Sequence, residues 1–312
     1  MLLKRRLGLL AWLLTSSALF AASSSLRVVG STTVNPVVVR AAEKLKAEKG
    51  LAIVVDTQGG SSGGITALAD GRADVAMASR PLTDGDRTKY PKVDFRPVEI
   101  GVDALAVVVA KDVWEGGVRA LSAEQLRSIY DGTFKNWQEL GGPDRRIAFF
   151  NKEPGRGTWE VFVHWLYGDA KKAPHVAHLE VGSNEEARTK VASTPGGISQ
   201  LSAAWADGRR VFPLAIRLPD GRQVTPTKEH LADGSYPLAR PLLLITNGPP
   251  SATAKALLDY LLGPAGQELV RAAGYLGLRD GAQQAAPLPQ KGTRPTRSVG
   301  ALLAAPFPRP QP

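Results

Sequence analysis

Between residues 26 and 78 the apolar positions come in short runs, each closed by a glycine-bearing turn and followed by apolar residues at helical spacing. Leu26–Val29 is the first run and predicts a strand. After Gly30-Ser31-Thr32-Thr33, Asn35 suits a helix cap and Pro36 a first helical position; this helix runs to about Lys49 before Gly50 stops it. Leu51–Asp56 is compact and apolar, as a buried parallel strand is. The turn Gly59-Gly60-Ser61-Ser62-Gly63-Gly64 leads to a short helix from Ile65 to Gly71, and Asp74–Ala78 is the next strand. This alternation predicts an α/β unit with a parallel sheet. Ligands of such sheets sit outside the carboxyl ends of the strands, where these turns lie.

The pattern then changes. A long apolar stretch, Val102–Ala110, leads to Ser122 and Gln125, a capping box that opens a helix to about Tyr130. Ile147–Phe150 reads as a strand delivering Lys152 and a third turn, Gly155-Arg156-Gly157-Thr158. The following helix carries Trp159, Phe162, Val163 and Leu166 at the spacing of a core face. Ser183 with Glu186 forms a second capping box, and Gly196-Gly197-Ile198 begins another strand. Leu242–Ile245 is a buried strand again, followed by helices over Ala252–Leu262 and Pro264–Ala273, with Gly274 as the stop. An α/β unit, an inserted second unit and a return crossing predict two α/β lobes with a ligand cleft between them. Residues 26–104 and 242–280 form the first lobe and residues 105–241 the second. Residues 281–312 lack periodicity and read as a disordered tail.

Two features of composition alter this picture. Lys4, Arg5 and Arg6 precede an apolar stretch, Leu7 to Phe20, and small residues from Ala21 to Ser25, which is the pattern of a secretory signal peptide over residues 1–25. The expected location is therefore the periplasm, as a soluble protein after cleavage. The chain has no cysteine, so disulfides, thiol chemistry and a lipidated cysteine are excluded, and the exported protein depends on its core. The formal net charge of +10 is less informative, because three of those charges lie on Lys4, Arg5 and Arg6 and four on Lys291, Arg294, Arg297 and Arg309, leaving about +3 for the body. With no basic stripe of interleaved aromatics, nucleic acid is not an expected partner.

The three turns carry the candidate chemistry. A helix N-terminus offers unpaired N–H groups and the positive end of its dipole, hydroxyls add donors, and glycine lets a ligand approach the backbone. One such turn is most simply a capped helix. Three suffice to surround a small oxyanion.

The turns also carry a resemblance. Gly30-Ser31-Thr32-Thr33-Val34 and Gln58-Gly59-Gly60-Ser61-Ser62-Gly63 resemble the opening signatures of the periplasmic phosphate-binding proteins of the PstS family. Ala73-Asp74-Val75-Ala76-Met77-Ala78-Ser79-Arg80, Gly132-Thr133-Phe134-Lys135-Asn136-Trp137, Thr194-Pro195-Gly196-Gly197-Ile198, Tyr236-Pro237-Leu238-Ala239-Arg240-Pro241-Leu242 and Gly266-Gln267 with Gly274-Tyr275 extend it across residues 26–280. The resemblance implies a type II periplasmic binding-protein fold that closes on inorganic phosphate and delivers it to an ABC permease and its ATPase, as a monomer with no cofactor, metal or catalytic step. Carried over by position, the ligand-binding residues are Ser31, Thr32 and Thr33, Ser61 and Ser62, Ser79 and Arg80, and Lys152, Arg156, Gly157 and Thr158.

The chain departs from the family in two places. The second-lobe motif usually reads Arg-x-x-Gly-Ser-Gly-Thr, whereas here Lys152 replaces the arginine and Arg156 the serine. Lysine loses the bidentate fork, and Arg156 could supply a charge of its own. Where some members place an aspartate after the serine of the third strand, this chain has Arg80. Arginine cannot accept a proton from phosphate, which predicts weaker discrimination against sulfate unless Asp103 takes that role.

Three rival readings remain at this level. Gly60-Ser61-Ser62-Gly63-Gly64 satisfies G-x-S-x-G, which would make Ser62 the nucleophile of a secreted hydrolase with His164, His175, His178 or His230. His175-x-x-His178 is a weak metal motif without carboxylate or thiol partners. The binding fold could also serve a phosphate sensor or scavenger instead of a transporter.

Overall fold

The computed structural model describes residues 25–177 and 179–280. The expectations placed on the leader, on the tail from residue 281 and on His178 therefore lie outside the described residues.

In chain order the first part holds β1 (Leu26–Gly30), α1 (Asn35–Lys49), β2 (Ile53–Asp56), α2 (Gly60–Ala69), β3 (Val75–Ala78), α3 (Asp84–Lys89) and β4 (Phe95–Val109). There follow α4 (Lys111–Glu115), β5 (Ala120–Ser122), α5 (Ala123–Tyr130), β6 (Ala148–Lys152), α6 (Gly157–Tyr167), β7 (Leu179–Val181) and α7 (Asn184–Ser193). The rest comprises β8 (Gly197–Ser202), β9 (Phe212–Pro213), β10 (Ala215–Arg217), β11 (Gln223–Val224), α8 (Lys228–Ala232), β12 (Ala239–Asn247), α9 (Ala252–Leu262) and α10 (Pro264–Ala272).

β4 links the two halves. Its first part, to Ala104, pairs antiparallel with β12; from Leu105 it pairs antiparallel with β8. On one side of that switch the order is β2-β1-β3-β12-β4, with β1 parallel to both β2 and β3. On the other it is β4-β8-β6-β7, with β6 parallel to β7 and β8. β11, β10 and β5 form a separate small sheet.

Each half of the large sheet is covered on both faces, as its buried parallel strands require. In the first half, Val37, Val38, Ala41 and Leu45 of α1 pack with Leu257 and Leu261 of α9 against Val28, Val75 and Leu244, while Ile65 and Leu68 of α2 cover Ala76, Ala78 and Ile245 on the other face. In the second half, Phe162, Val163 and Leu166 of α6 join Leu126 and Ile129 of α5 around Trp137, and Ala187 and Val191 of α7 close the opposite face on Ala106, Val108 and Leu201. No helix among the described residues is long and apolar enough to cross a membrane.

Three elements differ from the sequence expectation. α2 begins at Gly60 rather than Ile65, so Ser61 and Ser62 lie inside its first turn. Gly64 is the reason: a Cβ there would stand 2.4 Å from the Val29 carbonyl oxygen, and without one the helix start packs onto the end of β1. β4 starts at Phe95, before the apolar stretch, because β12 pairs with it along nine positions. Ser183 caps α7 through the Glu186 amide, but the Glu186 carboxylate accepts from Gly182 N–H instead of closing the box. At Ser122 and Gln125 both halves of the capping box form.

Candidate functional site

The first turns of α2 and α6 meet across the junction of the two halves. Gly157 opens α6, and a Cβ on it would lie 2.5 Å from Ser61 Oγ and 2.8 Å from Ser79 Oγ. Here glycine is required by close approach, not by its own dihedral angles. The helices at this junction share a second property: α1, α2 and α6 have no side-chain cap. Of the other helices, α3, α5, α7, α8 and α9 each carry a serine or threonine cap, and α4 and α10 do not. At α2 and α6 this leaves the amides of Ser61, Gly157, Thr158 and Trp159 without a partner among the described residues and open to an outside acceptor, whereas the α1 amides are taken up by the carbonyls of Ser31 and Val34.

The hydroxyls of the site can be followed proton by proton. Ser31 Oγ accepts from the amides of Thr33 (3.1 Å) and Val34 (3.4 Å) and donates to Ser79 Oγ (3.0 Å). Ser61 Oγ accepts from the Ser79 amide at 3.1 Å. Thr33 Oγ1 accepts from Asn184 Nδ2 at 3.1 Å and from Arg240 Nη2 at 3.2 Å, and Thr158 Oγ1 accepts from Arg240 Nη1 at 2.8 Å. A hydroxyl has a single proton to give. Thr33, Ser61, Ser79 and Thr158 all accept from the protein and donate to none of its described residues, and all four are buried. Tyr275 fixes the first turn from behind by donating its hydroxyl to the Thr33 carbonyl at 2.7 Å.

Arg240 is the cation of this arrangement, and sequence reasoning did not single it out. It is fully buried, and on the ladder between β12 and β4 it stands directly opposite Asp103. Its Nε and Nη2 both reach Asp103 Oδ2, at 2.9 and 2.8 Å, while Ser202 Oγ donates to Oδ1 at 2.7 Å. Burial pushes the Asp103 carboxyl up, and Arg240 and Ser202 pull the other way. Asp103 therefore orients Arg240, and its oxygens are engaged within the protein. Asn184, at the start of α7, was also missed; its amide bridges Thr33 to the Ser202 N–H.

The other predicted cations are placed differently. Arg80 is buried, but its guanidinium goes to both carboxylate oxygens of Asp86 (2.6 and 3.0 Å), to the Pro81 carbonyl, to Ser62 Oγ and to Glu160. Arg156 pairs with Glu153 at 2.7 Å and reaches the Thr57 carbonyl at 3.4 Å. Lys152 is buried at the end of β6 with its ammonium on the carbonyl oxygens of Gly182 and Ser183. Thr32 is half-buried in the first turn. Ser62 donates its hydroxyl to Glu160 Oε1 at 2.5 Å and receives Arg80, with no histidine among its described partners, so its proton is committed to a carboxylate and not to the base that the nucleophile-elbow reading requires.

Lys152 makes a pH prediction. Burial first, then the charges of Arg156 and Arg240, hold its ammonium down to about 7 from 10.5. Between those values the unfolded chain binds a proton that the folded protein does not, so stability rises with pH. Relative to Lys152→Met, the wild-type protein should gain about 2 kcal/mol between pH 7 and pH 9. Parallel denaturant titrations of the two proteins check this, and equal pH dependence would contradict it.

Residues 16–265 match the PBP superfamily domain. The chain is 30% identical to the phosphate-binding protein PstS of Bacillus subtilis over 263 residues, 83% of this chain and 82% of that protein. Among solved structures, one from Clostridium perfringens, assigned as a phosphate ABC transporter substrate-binding protein and containing bound phosphate, superposes with a TM-score of 0.72 at 27% identity, covering 81% of this chain and 99% of that one. An ABC-type phosphate transport receptor from Vibrio cholerae gives 0.65 at 28% identity, with 81% and 99% covered. With uncapped helix starts and hydroxyl donors converging where two α/β halves meet, and with this similarity over most of its length, the chain belongs to the PstS family of phosphate-binding proteins in the PBP superfamily.

Proposed function

We propose that this protein captures inorganic phosphate between its two halves, outside the cytoplasm, and delivers it to an ABC permease and its ATPase, with no chemical step of its own. The observation that carries this reading is the proton accounting at the junction. A buried donor left without an acceptor costs about 1–3 kcal/mol, so four hydroxyls that accept from the protein and have no acceptor there for their own protons call for a ligand rich in lone pairs. Thr33, Ser61 and Ser79 from one half and Thr158 with the α6 amides from the other would each take a phosphate oxygen, and Arg240 would supply charge. Donors from both halves on one anion give closure its driving force. The capture step needs one copy of the chain, since both sets of donors belong to it.

Selectivity follows from the same residues. Asp103, Glu153 and Glu160 each already face a guanidinium, that of Arg240, Arg156 and Arg80 respectively. None of these carboxylates is left to take the proton of phosphate and repel sulfate. Calorimetric titration of ligand-stripped protein should give one phosphate per chain, with the affinity measurably lowered by millimolar sulfate. Absence of heat with phosphate, arsenate and sulfate alike would overturn the function, and complete indifference of phosphate binding to sulfate would overturn the selectivity argument.

A further inference from the structure

Beside the hydroxyl cluster lies a second set of contacts between the halves, and every member is one residue or one turn away from a proposed ligand group. Arg80 follows Ser79 at the end of β3; Ser62 follows Ser61 in α2; Glu160 is in the first turn of α6 after Gly157 and Thr158. Ser62 and Arg80 belong to one half and Glu160 to the other. Glu160 receives Ser62 Oγ on one carboxylate oxygen at 2.5 Å and the Arg80 guanidinium on the other. The Ser62 amide crosses the same junction to the Gly155 carbonyl at 3.1 Å.

Arg80 is preset for this contact. Asp86 holds its guanidinium through both oxygens and at the same time closes the capping box of α3 with Thr83. Asp86 and the Pro81 carbonyl belong to the same half as Arg80, so its direction is held without Glu160, which reaches it from the other half. Opposite charges in close contact in a partly dry junction interact more strongly than at an open surface. Separating them requires the halves to part.

We propose that Ser62, Arg80 and Glu160 form a clasp between the halves that sets the residence time of the bound anion without touching it. It rests on the reading that the junction binds phosphate and closes. Opening breaks the Arg80–Glu160 and Ser62–Glu160 contacts, so the clasp slows release and leaves entry nearly unaffected. Because its members are chained to Ser79, Ser61 and Thr158, filling the site and fastening the clasp favour one another. Arg80 and Ser62 are thus positioning residues acting on closure.

The test compares wild type with Glu160→Gln and Ser62→Ala in two readouts. The first is the release rate of labelled phosphate chased with unlabelled phosphate, together with the uptake rate and the phosphate-to-sulfate preference. The second is the distance between two probes on the exposed positions Arg87→Cys and Lys171→Cys, which label uniquely because the chain has no cysteine. Release should quicken at least about tenfold in Glu160→Gln, with uptake and anion preference unchanged, and probe distances in phosphate-free protein should shift to longer values. Ser62→Ala should follow in the same direction with a smaller change. Unchanged release and distance, or a changed anion preference indicating direct contact, would overturn the clasp. Wild-type protein that binds no phosphate would overturn the reading beneath it, and the distance measurement would still decide whether the contacts hold the halves together.

Discussion

Gly157→Ala is expected to abolish tight phosphate binding while the protein folds as well as before. The added methyl group would sit 2.5 Å from Ser61 Oγ and 2.8 Å from Ser79 Oγ, well inside van der Waals contact. The halves must therefore part slightly, which withdraws the α6 amides and Thr158 from the hydroxyls they face. Hydrogen bonds to a charged ligand contribute about 1.5–3 kcal/mol each, so disturbing two of them weakens affinity by at least about a hundredfold. Folding should not suffer, since Gly157 is the first residue of α6 and alanine in a helix is favoured over glycine by up to about 1 kcal/mol. Calorimetry with phosphate and a thermal melt of the same sample separate the two effects. Wild-type affinity in Gly157→Ala would mean that the junction does not close on the ligand.

Arg240→Met should damage both binding and stability. The variant leaves Asp103, 1% exposed, with a buried charge and no guanidinium, a situation that costs about 3–5 kcal/mol. It also removes the donor to Thr158 and one of the two donors to Thr33, so the Thr158 proton is no longer directed and the cleft loses its central charge. Affinity should fall on the order of a hundredfold or more. The double variant Arg240→Met with Asp103→Leu separates the consequences: replacing the whole buried pair by apolar groups should restore much of the stability but none of the binding. Denaturant titrations and phosphate calorimetry on the three proteins measure this. Binding that returns with stability would show that Arg240 serves the fold alone.

The elements were legible because they rest on local signals. Pro36, the Gly50 stop, the Ser122–Gln125 box and the apolar blocks each report on a few neighbouring residues, and α1, α5 and β3 follow them closely. The start of α2 was not legible, since what permits helix from Gly60 is the contact of Gly64 with the end of β1, a tertiary fact. The direction of long side chains was equally hidden. Arg80 and Arg156 occupy positions where the family motifs invite an anion ligand, yet their partners are Asp86, Glu160 and Glu153, and only the folded chain brings Glu160 to Arg80.

Arg240 lies between these cases. Its pairing with Asp103 depends on the register of two strands 137 residues apart in sequence. A local signal nevertheless existed: each is a lone charge in an apolar stretch, Asp103 within Val102–Ala110 and Arg240 before Pro241-Leu242-Leu243-Leu244. Charged residues are almost never fully buried unless paired. Two opposite charges in the two crossing strands were the sequence trace of this pair.

The central claim is tested most directly by a crystal structure of the phosphate-loaded protein at neutral pH. The account predicts one anion at the junction, within hydrogen-bond distance of Thr33 Oγ1, Ser61 Oγ, Ser79 Oγ, Thr158 Oγ1, the Gly157 amide and the Arg240 guanidinium, with Arg80 still on Asp86 and Glu160. Phosphate held instead by Arg80, Arg156 or Lys152, with the four hydroxyls out of reach, would contradict it.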